Sequence, residues 1–444
     1  MITIEQAPAL RGALNVPGDK SISHRSVMLG ALAEGDTYVR GFLKGADCLA
    51  TIDCFRKMGI GIEEKNGDTG HFSGVRKDEP ILVIHGQGLH GLKEPETALL
   101  NAENSGTTVR LLSGILAGQP FVSRITGDSS LQKRPMGRII RPLEQMGIRV
   151  TSDQGNDCVP LKIYGGRPSA IRYESKIASA QVKSCVLFAG LYADEPTFYT
   201  EPSLSRNHTE LMLSAFGANL KVRRKTSSDA VTTILYPGTL LRPQNIAVPG
   251  DISSAAYFLA AGLIVPDARI TLKNVGINET RDGIIRVIQA MGGRISVNNV
   301  RMEGCEPTAD ISVSSSALHG TVIGGSLIPT LIDEIPIIAI LAACAEGQTV
   351  IRDAAELKVK ETNRLEAISN GLGAMGISVT ETEDGLIIRG GTLHGAEINP
   401  NGDHRMAMAF AIAGLVSETP VTITDEACVS VSYPNFFADL DRLR

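Results

Sequence analysis

The tetrapeptide Val-Pro-Gly-Asp occurs twice in this chain, at residues 16–19 and 248–251. Each copy follows a short strand-like segment, at 12–16 and 245–248, and precedes a helix-like run of small residues. Pro-Gly-Asp is a chain-reversing signal, and Asp or Ser just before an apolar run is typical of a helix N-cap. The chain is therefore expected to contain two related halves, each entered through the same strand, turn and helix.

A longer unit recurs six times along the chain. In each unit a helix of small residues is followed by Gly and a strand of Val, Ile and Thr, and then by a second helix that mostly closes at Gly after Met. The predicted helix, strand and second helix of each unit cover 23–33, 37–40 and 46–58; 105–116, 121–126 and 136–146; 178–191, 197–200 and 209–216; 253–263, 269–272 and 281–291; 333–345, 349–352 and 361–375; 404–415, 421–424 and 434–440. A spacing of roughly 70–85 residues is too long for a solenoid repeat and too regular for chance.

Dividing the six units at the recurring tetrapeptide gives two halves of three units. We therefore predict two similar α/β domains, one formed by residues 17–247 and the other by residues 1–16 together with 248–444. The N-terminal strand then packs in the second domain, so the chain crosses between the domains twice, at the two Pro-Gly turns. Two such connections favour closure about a hinge, and a cleft between domains is a usual place for a ligand.

Composition indicates an ordinary cytoplasmic globular protein. Apolar residues make up 43% of the chain, charged residues 20%, and the net charge of −5 argues against broad nucleic-acid binding. The seven cysteines form no CxxC pair, which is typical of reduced thiols. The N-terminus lacks the pattern of a targeting segment, and Asp333, Glu334 and Pro336 interrupt the most apolar stretch, 327–345, so we expect no membrane span.

Polar and charged residues outside the repeat pattern fall mainly at the starts of the units or in the links behind them. They are Lys20, Ser21 and Arg25, and the segments 104–110, 133–138, 179–183, 205–210, 331–334, 358–364 and 401–408. A helix N-terminus attracts anions through its free N–H groups and its dipole. If equivalent helices point the same way, these segments face one cleft. Many cations, several hydroxyls and few carboxylates suit a substrate with several phosphate or carboxylate groups, with Asp333 and Glu361 available for acid–base work.

Two other patterns indicate neither a cofactor nor a metal. Residues 86–91 fit GxGxxG after a strand-like segment, but the chain continues into Leu-Lys-Glu-Pro rather than into a clear helix, so we predict a turn and no dinucleotide. The eight histidines form no HExxH motif and no Cys/His cluster, so no catalytic metal is expected. His24 and His404 each precede an Arg at a helix start and are interpreted as orienting or capping residues.

Six segments, in order along nearly the whole chain, resemble a known family. They are 17–25 (PGDKSISHR), 104–108 (NSGTT), 134–136 (RPM), 179–181 (SAQ), 359–366 (VKETNRLE) and 402–408 (GDHRMAM). Together they resemble the 5-enolpyruvylshikimate-3-phosphate (EPSP) synthase family, and segments 179–183, 206–210 and 278–281 resemble its class II branch. The resemblance implies the enolpyruvyl transferase fold. This is an inside-out α/β barrel of two domains, each with three βαβαββ-like units, helices inside and sheets outside.

The resemblance also implies an activity, the transfer of an enolpyruvyl group from phosphoenolpyruvate to the 5-hydroxyl of shikimate 3-phosphate with release of phosphate. By similarity, the residues that bind shikimate 3-phosphate are Lys20, Ser21, Arg25, Ser179, Ala180, Gln181, Arg206, Asp333 and Lys360. Those that bind phosphoenolpyruvate are Lys20, Gly106, Arg134, Gln181, Arg364 and Arg405. Arginine forks match carboxylate and phosphate oxygens, and Gly106 lets the backbone approach a ligand closely. No cofactor is implied, and we expect a monomer with these small-molecule substrates as its partners.

The family mechanism needs two proton transfers. Asp333 is the candidate base for the attacking hydroxyl, and Glu361 with Lys20 is the candidate acid for the methylene carbon of phosphoenolpyruvate. The sequence leaves open whether Glu361 delivers this proton by itself or receives it from Lys20. The tetrahedral adduct then loses phosphate and a methyl proton.

The chain departs from some family members at two positions. Glu356-Leu357-Lys358 stands where those members have Asn-Trp-Arg. Those members also have a lysine late in the chain that contacts phosphoenolpyruvate, and the equivalent position in this chain falls near Val431. Because Gly106 adds no side chain to the site, we expect the phosphoenolpyruvate mimic glyphosate to inhibit, although the class II resemblance argues in the opposite direction.

Two alternative functions are considered for this sequence. The sister transferase acting on UDP-N-acetylglucosamine normally has a reactive cysteine in a mobile loop, whereas Cys158 and Cys185 lie outside the segment 104–138. A non-catalytic scaffold of six repeats needs none of the acid–base residues, so Lys20→Met or Asp333→Ala leaves its function intact.

Overall fold

The computed structural model describes residues 1–67, 70–72, 76–96, 99–226 and 228–444. The chain divides into two compact units. We call Gly18–Val248 the middle unit, and Met1–Pro17 together with Pro249–Arg444 the flanking unit. Across the described ranges the chain forms twelve α-helices and 23 β-strands, which are arranged in six sheets.

Each helix begins close to the residue that the repeat pattern indicates. The helices are α1 (Lys20–Leu32), α2 (Ala46–Lys57), α3 (Gly106–Ala117), α4 (Gly137–Gln145), α5 (Ala180–Gly190), α6 (His208–Ala215), α7 (Ile252–Ile264), α8 (Gly283–Ala290), α9 (Ile335–Ala343), α10 (Arg364–Ala374), α11 (His404–Gly414) and α12 (Phe436–Asp441). Single 3₁₀ turns at Leu131–Lys133, Gly325–Thr330, Ala355–Val359 and Glu426–Val431 link some of them to the preceding segments.

The strands are short and lie between the helices. They are β1 (Ile2–Ile4), β2 (Arg11–Leu14), β3 (Glu34–Arg40), β4 (Gly61–Asn66), β5 (Pro80–Gln87), β6 (Leu99–Asn101), β7 (Val122–Thr126), β8 (Arg149–Ser152), β9 (Leu161–Tyr164), β10 (Arg172–Glu174), β11 (Thr197–Glu201), β12 (Asn219–Arg224), β13 (Val231–Tyr236), β14 (Asn245–Ala247), β15 (Arg269–Gly276), β16 (Arg294–Glu303), β17 (Glu306–Ser314), β18 (Val322–Ile323), β19 (Gln348–Ile351), β20 (Ser378–Glu381), β21 (Leu386–Arg389), β22 (Glu397–Ile398) and β23 (Val421–Ile423).

The six sheets share one strand pattern. The middle unit contains β14-β3-β5-β4, β6-β7-β9-β8 and β10-β11-β13-β12, and the flanking unit contains β2-β15-β17-β16, β18-β19-β21-β20 and β22-β23-β1. In each sheet the first pair is parallel and the remaining pairs are antiparallel. A parallel pair needs a crossover connection, which the first helix of each unit supplies where the strands are sequential. The predicted α/β fold class is confirmed.

The edge strands next to the two Val-Pro-Gly-Asp segments are exchanged. Strand β2 precedes α1 in the chain but pairs with β15, from Arg11 opposite Arg269 to Leu14 opposite Leu272. Strand β14 precedes α7 but pairs with β3. Each tetrapeptide therefore leads from a strand of one unit into a helix of the other. The N-terminal strand β1 pairs with β23 and completes the three-stranded sheet.

The first helix of each repeat forms the interior of its unit. All nine residues of α9 and all but one of the thirteen in α7 are buried, so these helices need no polar face. The second helices are amphipathic, and α4 buries one side through Ile139, Ile140 and Leu143. Small residues allow the inner helices to pack closely, as at Gly114 of α3, where an added Cβ would lie 2.2 Å from the Cys185 carbonyl oxygen.

Two of the predicted helices that begin later than the sequence pattern indicates lie next to candidate site residues. The helix predicted over 333–345 begins at Ile335, because Pro336 fits only the first turn of a helix. The helix predicted over 361–375 begins at Arg364, because the Asn363 side chain accepts from the Glu366 N–H and caps it. Asp333, Lys360 and Glu361 therefore stand in the segments that precede helices.

The GxGxxG segment is a turn, as predicted. Gly86 and Gln87 end β5, Gly88 has φ of +79°, and residues 88–96 continue as a turn and irregular chain toward β6. Among the residues placed by the structure, none belongs to a helix both long and apolar enough to cross a bilayer. All seven cysteines are free thiols.

Candidate active site

The N-terminus of α1 carries the first group of predicted site residues. The Asp19 carboxylate accepts a hydrogen bond of 2.9 Å from the Ile22 N–H and caps the helix. Lys20, the first helical residue, forms an ion pair with Asp47 of α2. Ser21 is half-buried at the next position. Capping by Asp19 leaves the other N–H groups of the first turn directed out of the helix end, which is the arrangement that binds anions.

Arg25 is buried one turn into α1 and is held by neutral oxygens. Its Nε donates to Thr209 Oγ1 at 2.6 Å, and its two terminal nitrogens donate to Ser184 Oγ at 2.9 Å and to the Ser21 carbonyl at 3.0 Å. Ser184 Oγ in turn donates to the Ala180 carbonyl at 2.6 Å. Arg25 therefore ties the starts of α1, α5 and α6 together.

The loop before α3 brings Arg134 beside a helix N-terminus. The Ser105 hydroxyl caps α3 by accepting from the Thr108 N–H at 3.1 Å. Arg134 donates to the Asn104 side-chain oxygen at 2.7 Å and to Ser130 Oγ at 3.1 Å. A Cβ on Gly106 would lie 2.7 Å from Arg110 Nη1, so this position leaves no room for a side chain while the arginine stays in place.

The start of α5 joins the same group of helix ends. Ser179 accepts from the Val182 N–H and caps the helix. Gln181 bridges to α3, because its oxygen accepts from Arg110 at 2.8 Å and its nitrogen donates to Thr107 Oγ1 at 3.1 Å. Arg206 is half-buried in the segment between β11 and α6. Gln181 therefore brings the starts of α3 and α5 together.

A buried lysine, Lys183, supports the segment around the start of α5. Lys183 of α5 is fully buried and lies 2.7 Å from a carboxylate oxygen of Glu201 and 2.7 Å from one of Glu210. It also donates to the Ser205 carbonyl at 3.2 Å. The cluster therefore connects α5, the end of β11, the segment before Arg206 and the first turn of α6.

A chain of side-chain hydrogen bonds links α1, α2 and α3. His24 Nδ1 lies 2.7 Å from Thr51 Oγ1, which lies 2.7 Å from Thr108 Oγ1, which donates to Ser105 Oγ at 2.7 Å. His24 is therefore an orienting residue, as interpreted from the sequence, and Asp19 is the cap of its helix. Burial, with further contributions from Lys20 and Arg25, lowers the pKa of His24 well below its usual value.

The lowered pKa of His24 predicts acid sensitivity. The unfolded chain takes up a proton at this histidine below about pH 6.5 while the folded chain does not, so stability falls as the pH decreases from that value. We expect His24→Asn, which keeps a polar group near Thr51, to weaken the loss of melting temperature between pH 7 and pH 5. An unchanged pH dependence in this variant would contradict the assignment. His319→Asn, at an exposed histidine, is the control.

In the flanking unit Asp333 lies among three cations. Its carboxylate oxygens are 3.4 Å from Arg364 Nη1, 3.6 Å from Lys360 Nζ and 3.9 Å from Arg405 Nη2. These distances exceed those of tight ion pairs, which are about 2.7–2.9 Å for charged N–H···O contacts. The carboxylate therefore lies within 4 Å of three positively charged side chains.

Arg364 has closer partners. Its Nε donates to Asp403 Oδ2 at 2.7 Å and its Nη2 donates to Asp403 Oδ1 at 3.2 Å and to Glu361 Oε2 at 2.7 Å. Asp403 also caps α11 by accepting from the Arg405 N–H at 3.0 Å. Burial alone would lower the pKa of Arg364, but Asp403 and Glu361 raise it overall. Asp403 therefore helps to position Arg364 and Arg405, two of the residues that are predicted to bind phosphoenolpyruvate.

Arg405 stays charged for a similar reason. Burial opposes its charge, whereas Asp333, followed by Tyr257 and Glu334, raises the pKa of this arginine overall. Its Nη1 also donates to the Asp333 carbonyl at 3.4 Å. The flanking unit thus combines a carboxylate, Asp333, with fixed cations, and Glu361 is only partly buried beside them.

Several supporting residues were not predicted from the sequence. Asp403 stands at the N-cap position of a motif that the sequence did single out, so the capping pattern could have identified it. Asp47 and Ser184 lie in ordinary helical sequence, whereas Thr209 lies in the segment 205–210 that the sequence did single out, and no local signal marks the partner of any of the three. Within the ranges that the structure describes, no three His, Cys, Asp or Glu side chains are grouped so that they could hold a metal ion.

Comparisons with known proteins identify the family to which the chain belongs. The sequence profile described as EPSP synthase (3-phosphoshikimate 1-carboxyvinyltransferase) matches residues 4–440. The chain belongs to this family. Among proteins named 3-phosphoshikimate 1-carboxyvinyltransferase, one from Geobacillus kaustophilus is 51% identical over 98% of both chains, and one from Bacillus subtilis is 50% identical over 99% of this chain and 98% of its own. The chain is therefore an enzyme of this transferase family.

Solved structures give the same fold. EPSP synthase from Acinetobacter baumannii is 45% identical, with a TM-score of 0.84 over 99% of this chain and 97% of its own. The enolpyruvyl transferase NikO from Streptomyces tendae has a TM-score of 0.74 over 99% and 96% of the two chains at 17% identity, which is a likeness of fold alone. The predicted enolpyruvyl transferase fold is confirmed.

Proposed function

We propose that this chain transfers the enolpyruvyl group of phosphoenolpyruvate to the 5-hydroxyl of shikimate 3-phosphate and releases phosphate. The observation that carries the proposal is the position of Asp333, a carboxylate held among Lys360, Arg364 and Arg405. A base beside several fixed cations suits the deprotonation of a hydroxyl on an anionic substrate. Membership of the EPSP synthase family supplies the identity of the substrates.

In this proposal shikimate 3-phosphate is bound mainly by the helix ends of the middle unit. Arg25, supported by Thr209 and Ser184, provides a charge whose partners in these contacts are neutral. Lys20, Ser21, the 179–181 segment and Arg206 are assigned to the same substrate by similarity. Phosphate binding by arginine and helix N–H groups together is favourable because both charge and hydrogen bonds are satisfied. Asp333 and Lys360 are assigned to the sugar-like ring and its hydroxyl.

Phosphoenolpyruvate is assigned to Arg134, Arg364 and Arg405 and, by similarity, to Lys20, Gly106 and Gln181. Arg134, Arg364 and Arg405 are all buried or nearly so, and each is fixed by hydrogen bonds to the protein. Rigid guanidinium groups lose little conformational entropy on binding a phosphate or carboxylate. The backbone at Gly106 can approach the ligand because it has no Cβ.

The chemistry proceeds by addition and elimination. The 5-hydroxyl oxygen bonds to C2 of phosphoenolpyruvate while Asp333 takes its proton, and C3 receives a proton from Glu361 together with Lys20. The tetrahedral adduct then loses phosphate from C2 and a proton from C3, which restores the double bond. The fixed cations stabilise the phosphate as its bond to carbon breaks.

A phosphate-release assay tests the proposal. With phosphoenolpyruvate present, we expect release when shikimate 3-phosphate is the acceptor and none when UDP-N-acetylglucosamine is the acceptor. Release with only the second acceptor would support the sister transferase instead, and release with neither would support a non-catalytic scaffold.

Glyphosate, as a mimic of phosphoenolpyruvate, is expected to compete with that substrate. The expectation depends on the space at Gly106, where no side chain intrudes next to Arg110 and Arg134. Gly106→Ala should weaken inhibition and also raise KM for phosphoenolpyruvate, because its Cβ displaces the Arg110 guanidinium. The inhibition constants of glyphosate for the native enzyme and for Gly106→Ala test this expectation. Unchanged turnover of the native enzyme at millimolar glyphosate would refute the expectation.

We also propose that the enzyme acts as a cytoplasmic monomer. Seven free cysteines suit a reducing compartment, and light scattering on the purified protein measures its mass in solution.

A further inference from the structure

The hydrogen-bond chain from His24 through Thr51 and Thr108 to Ser105 has a definite direction. The Thr108 hydroxyl donates its single proton to Ser105 Oγ at 2.7 Å, so it accepts at its 2.7 Å contact with Thr51 Oγ1. Thr51 therefore donates at that contact and accepts at its 2.7 Å contact with His24 Nδ1. A second acceptor for the Thr51 hydroxyl, the Asp47 carbonyl, is farther away at 3.4 Å. His24 must then carry its proton on Nδ1.

The surroundings of the other His24 nitrogen fit this tautomer. His24 is fully buried, and its Nε2 has no hydrogen-bond partner within the described residues. A proton on Nε2 would leave a buried N–H donor unsatisfied, which is costly. The lowered pKa of His24 keeps the ring neutral near neutral pH, so the second ring nitrogen stays without a proton. The chain therefore runs in one direction, from α1 to the cap of α3.

The last two members of the chain fix the first turn of α3. Ser105 Oγ accepts from both the N–H and the hydroxyl of Thr108, at 3.1 Å and 2.7 Å. Ser105 directly precedes Gly106, whose backbone is assigned to phosphoenolpyruvate in the proposed function. A shift of the cap would therefore shift the backbone that meets this substrate.

Thr51 is the junction between this turn and two other helices. It lies in α2 one turn after Asp47, which forms an ion pair with Lys20 at the start of α1. His24 lies one turn after Lys20 in α1. Because the single Thr51 hydroxyl accepts from α1 and donates to α3, its loss would remove this link between α3 and the other two helices.

We propose that Thr51 is a positioning residue that holds the turn at Ser105 and Gly106 in place for phosphoenolpyruvate. Thr51 is fully buried, so it acts through Thr108 and Ser105 rather than by contact with the substrate. This inference deepens the proposed transferase function and rests on it. A misplacement of about 1 Å at a substrate-binding group can cost roughly 100-fold in rate, so the loss of this link is expected to be measurable.

Thr51→Val tests the inference, because valine keeps the shape of threonine and lacks the hydroxyl. We expect kcat/KM for phosphoenolpyruvate to fall by about 10- to 100-fold, mainly through a higher KM. KM for shikimate 3-phosphate should stay within about twofold of the native value, because Arg25 is held separately by Thr209 and Ser184. Thr51→Ser keeps the hydroxyl and should restore the native KM for phosphoenolpyruvate.

Thr197→Val is the matched control. Thr197 of β11 is also fully buried in the middle unit, and its hydroxyl has no hydrogen-bond partner in the parts of the chain that the structure describes. The same chemical change there breaks no hydrogen bond, so the control should keep native kinetics. Thr108→Val breaks the same chain at the next residue and carries the test if Thr51→Val does not fold.

Native kcat/KM for phosphoenolpyruvate in Thr51→Val and Thr108→Val would overturn the inference, as would an equal increase in KM for both substrates. A lower melting temperature with native KM values would show a purely structural role and would overturn it as well. Failure of Thr51→Ser to restore the native KM would do the same. The native enzyme separates the two hypotheses, because its failure to release phosphate refutes the function, whereas variants that match an active native enzyme refute only the positioning role.

Discussion

Asp333→Asn is expected to lower kcat for phosphate release by about 1,000-fold, within the range that a general base contributes. Asparagine keeps the size of the side chain and one hydrogen-bond acceptor, but it cannot take a proton from the 5-hydroxyl. The loss should appear in kcat, with a smaller change in KM for shikimate 3-phosphate and little change in KM for phosphoenolpyruvate. Steady-state kinetics with each substrate varied in turn separates these effects.

The variant must also remain folded for this result to be meaningful. Arg364 keeps Asp403 and Glu361 as close partners, so loss of the charge at 333 should change the melting temperature only slightly. Glu346→Gln, which neutralises an exposed carboxylate, is the control and should retain native kinetics. Activity of Asp333→Asn within tenfold of the native enzyme would exclude Asp333 as the base.

The order of helices could be predicted because each repeat carries its own local signals. Small-residue helices, β-branched strands and Gly after Met follow from capping and propensity, and the α11 helix begins at His404 as predicted. The residue ranges of the final hairpins of the repeats, such as β12–β13, were not predicted. Strand β12 is mostly exposed and rich in lysine and arginine, so it lacks the alternating apolar pattern that marks a half-buried strand.

The sequence predicted which residues belong to the candidate site more readily than it predicted the contacts that those residues make. Lys20 and Arg405 stand in the first turns of α1 and α11, and Arg134 stands three residues before α4. Helix starts are a usual place for anion binding. The partners of Lys20 and Arg25 could not be predicted in this way, because Asp47 and Thr209 lie within helices and meet them only through tertiary packing. Residue spacing along one chain does not determine such contacts. The capping residues Asp19 and Asp403 are the exception, since a cap is local.

The buried carboxylates that surround Lys183 are expected to make this lysine important for stability. Lys183→Met is expected to lower the free energy of unfolding of the middle unit by about 3–5 kcal/mol, because it leaves the Glu201 and Glu210 carboxylates buried without their cation. The midpoint of urea unfolding, followed by circular dichroism, measures the effect. We also expect a higher KM for shikimate 3-phosphate, because the cluster supports Ser179 to Gln181 and the segment that carries Arg206.

The charges of the Lys183 cluster allow further variants to test why Lys183→Met is destabilising. The cluster has one cation and two carboxylates, so Glu210→Gln leaves a matched pair and should change the unfolding midpoint little. Combining Lys183→Met with Glu201→Gln and Glu210→Gln removes every charge and should restore much of the lost stability, since neutral groups can replace a buried ion network at small cost. If Lys183→Met were as stable as the native enzyme, or if the triple variant were no more stable than Lys183→Met, the unpaired carboxylates would not be the source of the effect. The lysine would then contribute through its packing alone.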